Sequence, residues 1–365
     1  MSYPVLPYAK FLFLCCVLLS GQVATAAAAS RLDEKVDAYV KQEMAKYHIP
    51  GMAIAVIRNG KALKLKGYGL ASIELNVPVT ERSVFQIYST TKIFTGVALM
   101  KLVEEGKLTL ETPVTDLIQG LPDEWKAIRI RNLLTHTSGL AELRENPRFQ
   151  SLPDEKKKYF PREEGMRYVA EMPLKFKPGE KFLYHTSGYN ILGLIVGKVA
   201  GTPFDSFLQE RVFAPLGMAS TIFGDTESII KGRPSTVYLL DKGELRNLVL
   251  TFNVNGGNPG AGLNSSVTDL ANFMIALDAG KVLKPESLRE MWSPVKLNDG
   301  SEYGYGLGWT VGEHKGRQVV GHEGGGAAWI AHFPQEHLSI VVLCNLNGAR
   351  ADEIQYGLAD LYLRS

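Results

Sequence analysis

The pentapeptide YSTTK places a serine and a lysine three residues apart, at Ser89 and Lys92. The apolar run Ile93–Met100 that follows predicts a helix, and side chains three positions apart lie on one helical face. A serine hydroxyl becomes a good nucleophile when a base takes its proton, and lysine is a base only when neutral. The pKa of Lys92 would have to fall by about 3 from its usual value of about 10.4, which burial can achieve. The alternative is a helix-capping serine beside an exposed lysine.

The same spacing occurs at two other places, Ser228 with Lys231 and Ser293 with Lys296. Proline or glycine follows closely in both cases and disfavours a long helix. Ser89 is therefore the candidate nucleophile.

Acyl transfer also needs a second proton carrier and donors that stabilise an oxyanion. Tyr184, in FLYHTSGYNILG, could share a proton with Lys92, or it could be an ordinary aromatic anchor at a helix start. His322 and the glycine run Gly324–Gly326 occur together in GHEGGGAAW on a β-like segment. Such a run lets backbone amides approach a ligand, although glycines also occur in plain turns and bulges.

The elements that must position these residues begin with an amphipathic helix from Leu32 to Tyr47, which ends at Pro50. Residues 51–71 predict a β-hairpin that turns at Asn59 and Gly60. From about residue 300, three β-like runs are followed by a helix over 351–363.

Strands at both ends with helices between them predict an α/β (α+β) fold. We expect an antiparallel sheet from the N- and C-terminal segments, flanked by helices, with an inserted all-helical domain and the site at the junction. The α/β part would span about 30–85 and 260–365, and the helical part 86–259. The charged, proline-punctuated stretch 141–165 is either a solvated loop or a lid over the cleft.

The 365 residues are 45% hydrophobic and 21% charged, which is ordinary for a globular protein. The net charge of +2 and the mixed charge signs give no basic stripe, so we expect no nucleic-acid partner.

The first residues predict an export signal. Lys10 is followed by the apolar run Phe11–Leu19 and by the small residues 24–26, so residues 1–29 are interpreted as a signal peptide. An uncleaved anchor is the alternative, but the run is short for a membrane span. We expect a secreted or periplasmic protein without lipidation and with no membrane span after cleavage, in which Cys344 is a lone buried cysteine.

Five blocks in order carry a resemblance over nearly all of the mature chain. They are VFQIYSTTKIFTGVALMKLVEEGKLTLETPV, IRNLLTHTSGL, FKPGEKFLYHTSGYNILG, GAGLNSSVTDLANFM and GHEGGGAAWIAHFP. Together they resemble the serine β-lactamase and penicillin-binding-protein superfamily, in particular its class C-like branch.

The resemblance implies Ser89 as the acylated nucleophile, Lys92 as its proton partner and Tyr184 as a general base for acylation or deacylation. Which of Lys92 and Tyr184 is the base stays open. His322 stands where the family has lysine or histidine on the edge strand. Gly325, in the run that begins at Gly324, and Ser89 would supply the oxyanion-hole amides.

The chain departs from the family pattern at Thr186, where an asparagine is usual. Threonine has one hydroxyl in place of an amide that both donates and accepts, so we expect esters or D-amino-acid peptides more than β-lactams as substrates. His185 is either an extra acid or base or a loop residue beside the site, and His136 is expected to brace a turn. The absence of GxSxG and of HExxH spacing argues against an α/β-hydrolase and a metal site, and we expect no cofactor.

These observations predict an exported serine hydrolase that acts through an acyl-serine on an ester, D-amino-acid peptide or β-lactam carbonyl. Its partner would be a small-molecule or peptide substrate. The alternatives are a penicillin-binding or sensor-type protein that acylates without efficient turnover, and a non-catalytic binding protein.

Overall fold

The structure is a computed structural model that describes residues 31–158, 160–224, 229–233, 237–248 and 258–363. The predicted signal peptide, residues 1–29, lies outside the described residues. The helices are α1 (31–46), α2 (Thr91–Glu104), α3 (Val114–Leu117), α4 (Ile130–Leu134), α5 (Pro147–Gln150), α6 (Asp154–Lys158), α7 (Arg162–Ala170), α8 (Ser187–Ala200), α9 (Phe204–Leu208), α10 (Val267–Asp278), α11 (Pro285–Met291) and α12 (Ala351–Leu363). The strands are β1 (Gly51–Arg58), β2 (Lys61–Ser72), β3 (Val77–Pro78), β4 (Phe85–Gln86), β5 (Ile222–Phe223), β6 (Tyr238–Asp241), β7 (Glu244–Asn247), β8 (Leu263–Ser265), β9 (Val295–Lys296), β10 (Glu302–Tyr303), β11 (Thr310–His314), β12 (Arg317–Gly324), β13 (Ala328–Phe333) and β14 (Leu338–Cys344).

Seven of these strands form one sheet in the order β11-β12-β13-β14-β1-β2-β3. All of its neighbouring pairs are antiparallel, and β1 from the N-terminal part lies between β2 and the C-terminal β14. This arrangement confirms the predicted fold class.

The sheet is buried on both faces because the side chains of β1 alternate between two cores. Ala53, Ala55 and Ile57 pack in the core shared with α2, α8 and α10. Met52, Ile54 and Val56 pack in the core shared with α1 and α12.

Helix α2 lies in the first core and is buried around almost its whole circumference, including Lys92. A helix that is apolar all round belongs inside a protein. Its first turn therefore lies where the sheet meets the helical part of the chain.

The structure differs from the expectation of an all-helical insert. Between residues 86 and 259 it contains β5, β6 and β7, and β5 pairs with β8. Strands β6 and β7 form a hairpin around Lys242 and Gly243, which both have positive φ, as tight hairpin turns require.

No single helix within the described part of the chain is long and apolar enough to cross a membrane. The segments Ser187–Ala200 and Phe204–Leu216, bent by 74°, meet that criterion of length and composition only as a pair.

Candidate active site

Ser89 lies in the 3₁₀ turn Tyr88–Thr90, directly before α2. The Lys92 ammonium nitrogen lies 3.2 Å from the Ser89 hydroxyl and 2.9 Å from the carbonyl oxygen of Gly260. The helical spacing thus brings the two side chains together as predicted from the sequence. Of the other two serine–lysine patterns, Ser228 lies outside the described residues, and the Ser293 hydroxyl donates to the carbonyl of Arg289 on an exposed turn.

Lys92 is completely buried, and burial lowers its pKa to about 7. Glu142 and Glu323 oppose this shift through their charges. Among the described residues no carboxylate lies within ion-pair distance of Lys92. The amine can therefore lose its proton near neutral pH, as a base for Ser89 must.

Tyr184 lies beside this pair, with its ring centroid 4.8 Å from the Lys92 nitrogen. Burial raises the pKa of Tyr184, against a smaller opposing effect of the Ser89 hydroxyl, although 42% of the residue is exposed. The phenol is therefore protonated at neutral pH. Because Tyr184 keeps its proton while Lys92 loses one, the electrostatics favour Lys92 as the base and Tyr184 as a proton donor.

Thr186 is the N-cap residue of α8, two positions after Tyr184. Its backbone N–H donates to Glu142 at 2.6 Å, and the N–H and hydroxyl of Ser187 donate to the same carboxylate at 3.3 and 3.0 Å. Glu142 thus caps α8 and fixes the segment that carries Tyr184. Glu142 is the second residue of the charged stretch 141–165, which contains α5 and α6. Phe149 and Phe160 of this stretch pack against Tyr168 of α7.

His185 is buried, and both of its ring nitrogens are bound to residues other than the nucleophile. Its Nδ1 accepts from the Gly188 N–H at 3.0 Å, and its Nε2 therefore donates to the Ser138 hydroxyl at 3.0 Å. Burial lowers the pKa of His185 to about 3. Its geometry is that of a neutral brace, not of an extra acid or base.

His136 and His322 are joined by Tyr305 in a buried hydrogen-bonded chain. The Nδ1 of His136 accepts from the His185 N–H at 3.3 Å, so its Nε2 donates to the Tyr305 hydroxyl at 3.2 Å. Tyr305 in turn donates to Nε2 of His322 at 2.8 Å, and Nδ1 of His322 donates to the Glu323 carbonyl at 2.6 Å. Burial lowers the pKa of His136 far below its usual value and that of His322 to about 3, so both rings are neutral.

The position of His322 differs from the expectation in one respect. Strand β12 is the second strand of the sheet, not the edge strand. Its pairing with β11 ends at Gly321, so residues 322–324 extend beyond β11 and are locally unpaired on that side. The backbone there contacts the Ser89 turn, where the Thr90 hydroxyl donates to the His322 carbonyl at 3.3 Å.

The glycine run forms the turn between β12 and β13. Gly325 and Gly326 both have positive φ, and the Ala327 N–H donates to the Gly324 carbonyl across the turn. A Cβ on Gly324 would lie 2.2 Å from the carbonyl oxygen of Ile87, and one on Gly325 would lie 3.1 Å from the ring of Tyr88. The glycines thus allow this turn to lie against the residues that precede Ser89, and the oxyanion-hole role of the Gly325 and Ser89 amides stays a prediction.

Tyr88 itself has a φ of 45°, a left-handed conformation that bulky residues rarely adopt. Such strain persists where the surrounding structure enforces it, and it is common at functional sites. The contact between its ring and Gly325 links this strained residue to the turn.

The family model described as Beta-lactamase matches residues 36–363. The chain belongs to this family. The match confirms the predicted resemblance to serine β-lactamases and penicillin-binding proteins.

Two curated relatives are similar in sequence. Protein flp of Staphylococcus aureus (strain MW2) is 28% identical over 334 residues, covering 86% of this chain and 63% of the relative. The serine beta-lactamase-like protein LACTB, mitochondrial, of Homo sapiens is 29% identical over 352 residues, covering 73% of this chain and 63% of the relative. The chain thus spans less than two thirds of the length of these relatives.

Solved structures share the fold. The octameric penicillin-binding protein homologue from Pyrococcus abyssi has a TM-score of 0.77 at 27% identity, covering 91% of this chain and 77% of its own. The D-amino acid amidase from Ochrobactrum anthropi SV3 has a TM-score of 0.77 at 24% identity, covering 92% and 100%. The hydrolase EstCE1 has a TM-score of 0.78 at 22% identity, covering 92% and 99%.

The structure brings Ser89, Lys92 and Tyr184 into one cluster, with the glycine turn against it and His322 behind it. Four residues of this site are absent from the sequence-based prediction: Gly260, Glu142, Glu323 and Tyr305. Of these, Glu323 could have been found from its place inside HEGGG, and Tyr305 from the aromatic and glycine run YGYGLGW.

Proposed function

We propose that the protein is a serine hydrolase that cleaves esters or amides, including D-amino-acid peptides, through an acyl-enzyme on Ser89. The main support is the buried Lys92 amine, 3.2 Å from the Ser89 hydroxyl with a pKa of about 7. Such an amine is neutral in about half of the molecules at pH 7. This is the condition that makes a serine–lysine pair reactive.

In this proposal, the Ser89 proton passes to the Lys92 nitrogen as the serine oxygen bonds to the substrate carbonyl carbon. The amides of Ser89 and Gly325 stabilise the oxyanion. The proton then reaches the leaving oxygen or nitrogen by way of the Tyr184 hydroxyl, as the bond from that atom to carbon breaks. Water next attacks the acyl-serine, gives its proton along the same groups to the serine oxygen, and releases the acid.

The residue at position 186 bears on the substrate. Threonine there lacks the amide that could both accept from the lysine and donate to a substrate carbonyl. Its backbone N–H is already bound to Glu142. We therefore rank a simple ester or a peptide of D-amino acids above a β-lactam.

Intact mass spectrometry after exposure to a fluorophosphonate, a penicillin and a p-nitrophenyl ester tests the nucleophile. We expect a fluorophosphonate adduct on the wild type and none on Ser89→Ala, with many equivalents of p-nitrophenol released per wild-type enzyme. A burst of a single equivalent would favour the sensor-type alternative. Equal labelling of the variant, or no labelling of the wild type, would contradict the assignment of Ser89.

We also propose that the protein is exported, on the strength of residues 1–29. Expression of the full chain followed by cell fractionation and N-terminal sequencing tests this. Export predicts a mature protein that begins near residues 27–30, whereas an intact N-terminus in the cytoplasm would contradict it.

A further inference from the structure

We propose that Tyr189, on α8, is a positioning residue for acyl transfer: the face of its ring stabilises the Lys92 ammonium that forms when the amine takes the Ser89 proton. This inference rests on the proposed function and goes beyond it, because it assigns a role to a side chain outside the proton path. The structure that suggests it is a buried amine beside two aromatic rings, with no carboxylate in contact among the described residues.

The proton transfer places a positive charge where the surroundings disfavour it. Lys92 is completely buried, and a buried ammonium without a counter-ion is costly. Among the described residues its nitrogen has two hydrogen-bond partners, the Ser89 hydroxyl at 3.2 Å and the Gly260 carbonyl at 2.9 Å. The serine oxygen becomes a weaker acceptor once it bonds to the substrate carbon. Further stabilisation of the ammonium therefore has to come from neutral, electron-rich groups.

Two tyrosine rings lie within cation–π distance of the Lys92 nitrogen. The nitrogen is 4.8 Å from the ring centroid of Tyr184 and 5.2 Å from that of Tyr189. A cation over a ring face and within about 6 Å of the centroid is attracted by the ring quadrupole, and the attraction is stronger when both groups are desolvated. Tyr184 is partly exposed, whereas Tyr189 is 0% exposed. Tyr189 is therefore the ring whose attraction water screens least.

Contacts along the side chain fix the Tyr189 ring in this place. Its hydroxyl donates to the Leu134 carbonyl at 2.7 Å, so it is committed to the backbone and not to the Ser89 proton. Its ring packs on the ring of His136, with the centroids 5.2 Å apart. At the other end, a Cβ on Gly260 would lie 3.4 Å from the Tyr189 Cβ, so the segment that carries the Gly260 carbonyl lies against it.

The other titratable groups around Lys92 are unchanged by a substitution of this ring. Burial lowers the pKa of the imidazoles and raises the pKa of the phenols, so these side chains are neutral near pH 7: His136, His185, His322, Tyr88, Tyr184, Tyr189 and Tyr305. Glu142 and Glu323 raise the pKa of Lys92 through their charges, and both stay in place in every variant. A difference in pH dependence between ring variants therefore reports the ring.

Replacing the ring by an aliphatic side chain should make the ammonium less stable. The pKa of Lys92 is about 7 in the wild type. In Tyr189→Leu the midpoint of the acid limb of kcat/KM should fall to about pH 6, which is a ~10-fold loss for the ammonium relative to the amine. The plateau at high pH should also fall ~10-fold, since the ammonium forms in the transition state. Tyr189→Phe keeps the ring and should keep the midpoint.

A fluorinated series separates the electrostatics of the ring from its packing. Phenylalanine with zero, one, two or three ring fluorines is incorporated at position 189 by suppression of a stop codon. Each fluorine withdraws electron density from the ring face with little change in shape, so the midpoint should fall stepwise, by about 1 pH unit over the series. A merely structural role of Tyr189 predicts one midpoint for all four rings.

Two rates are measured against pH on each variant: kcat/KM for a p-nitrophenyl ester, and labelling by a fluorophosphonate followed by intact mass spectrometry. Labelling requires loss of the Ser89 proton but no deacylation, so it reports Lys92 even where turnover is slow.

Phe213→Leu is the matched control. It removes a buried ring that packs edge-on against Phe94 of α2, and no cation–π pair among the described residues joins it to Lys92. It should leave the midpoint as in the wild type. Denaturant titration establishes that each variant is folded.

An unchanged midpoint in Tyr189→Leu, a shift to higher pH, or one midpoint for the whole fluorinated series would overturn the inference. In each of these cases, labelling of the wild type but not of Ser89→Ala would leave the proposed function standing. No labelling of the wild type, or labelling without an acid limb, would instead remove the pair of Ser89 and Lys92 as nucleophile and base, and the role of Tyr189 with it.

Discussion

Two buried lysines in this molecule have opposite surroundings. Lys64, on β2, is 6% exposed, and its ammonium is bound by Asp33 and by Asp37, the latter at 2.6 Å. Lys92, on α2, is 0% exposed, and its nitrogen contacts a serine hydroxyl and a backbone carbonyl. Burial is therefore nearly equal, and the difference is the counter-ion.

The difference matters because desolvation disfavours the charged form of a lysine, while a carboxylate in contact restores it. Lys64 holds α1 against the sheet through its ion pairs with Asp33 and Asp37. Lys92 has only neutral contacts, so its pKa falls to about 7 and its amine becomes available as a base. A buried lysine becomes a base when neutral contacts replace a bound carboxylate.

Replacing each lysine by methionine should give opposite results. Lys92→Met is expected to lower kcat/KM by ~10³-fold or more, because Ser89 loses its base, with little loss of stability. Lys64→Met is expected to keep activity and to lower the free energy of unfolding by about 1–3 kcal/mol, because it leaves Asp37 with fewer partners. Steady-state kinetics with a p-nitrophenyl ester and denaturant titration measure the two effects. Loss of activity in a normally folded Lys64→Met variant would contradict the distinction between a structural role of Lys64 and a catalytic role of Lys92.

The pH dependence should separate the two sites within one protein. Because the pKa of Lys92 is about 7, kcat/KM should rise with pH through about 7 and be ~100-fold below its plateau at pH 5. The pKa of Asp37 is lowered, with hydrogen bonds from Lys64, Lys66 and Tyr68 outweighing the opposing effect of burial. Its stabilisation is thus present above the unfolded pKa of about 3.9 and is lost as pH falls below that value.

Activity should therefore fall between pH 8 and pH 5 while the free energy of unfolding loses nothing from Asp37. The two profiles are measured on the same samples by kinetics and by denaturant titration. A parallel fall of both would show that acid inactivation comes from unfolding and not from protonation of Lys92.

The sequence allowed the contacts and elements formed by residues close together in the chain to be predicted. Ser89 and Lys92 meet because they are three residues apart at the start of an apolar helix. The hairpin from β1 to β2 and the closing helix α12 follow from periodicity and turn residues in the same way. The sheet between the two chain ends followed from the order of β-like and helical segments.

The remaining contacts join residues that are far apart in the chain. The Gly260 carbonyl that binds Lys92 lies 168 positions away, and Tyr305, which binds His322, meets His136 across 169 positions. No spacing rule encodes such pairs. The choice between Lys92 and Tyr184 as the base could not be made from the sequence either, because it depends on burial and on which charges face each group.

Within the Lys64 cluster, Asp37→Asn should have the larger effect of the two aspartate substitutions. Asp37 accepts from Lys66 and Tyr68 as well as Lys64, and its side chain is 23% exposed. We expect a loss of about 1–2 kcal/mol in the free energy of unfolding with unchanged kcat/KM. Denaturant titration at pH 7 measures this loss. The difference in unfolding free energy from the wild type should shrink below pH 4, where the stabilisation by the ionised Asp37 carboxylate begins to be lost.

Asp33→Asn should have the smallest effect, below about 1 kcal/mol. The Asp33 side chain is 57% exposed, so water solvates its carboxylate in both the folded and the unfolded state. Lys64 would still have Asp37 in contact, and its charge would remain compensated. High salt should weaken what little stabilisation Asp33 adds, since exposed pairs are screened. A loss as large as that of Asp37→Asn would show that the Lys64 ammonium depends on Asp33 as much as on Asp37, and it would contradict the conclusion that the more buried Asp37 is its main partner.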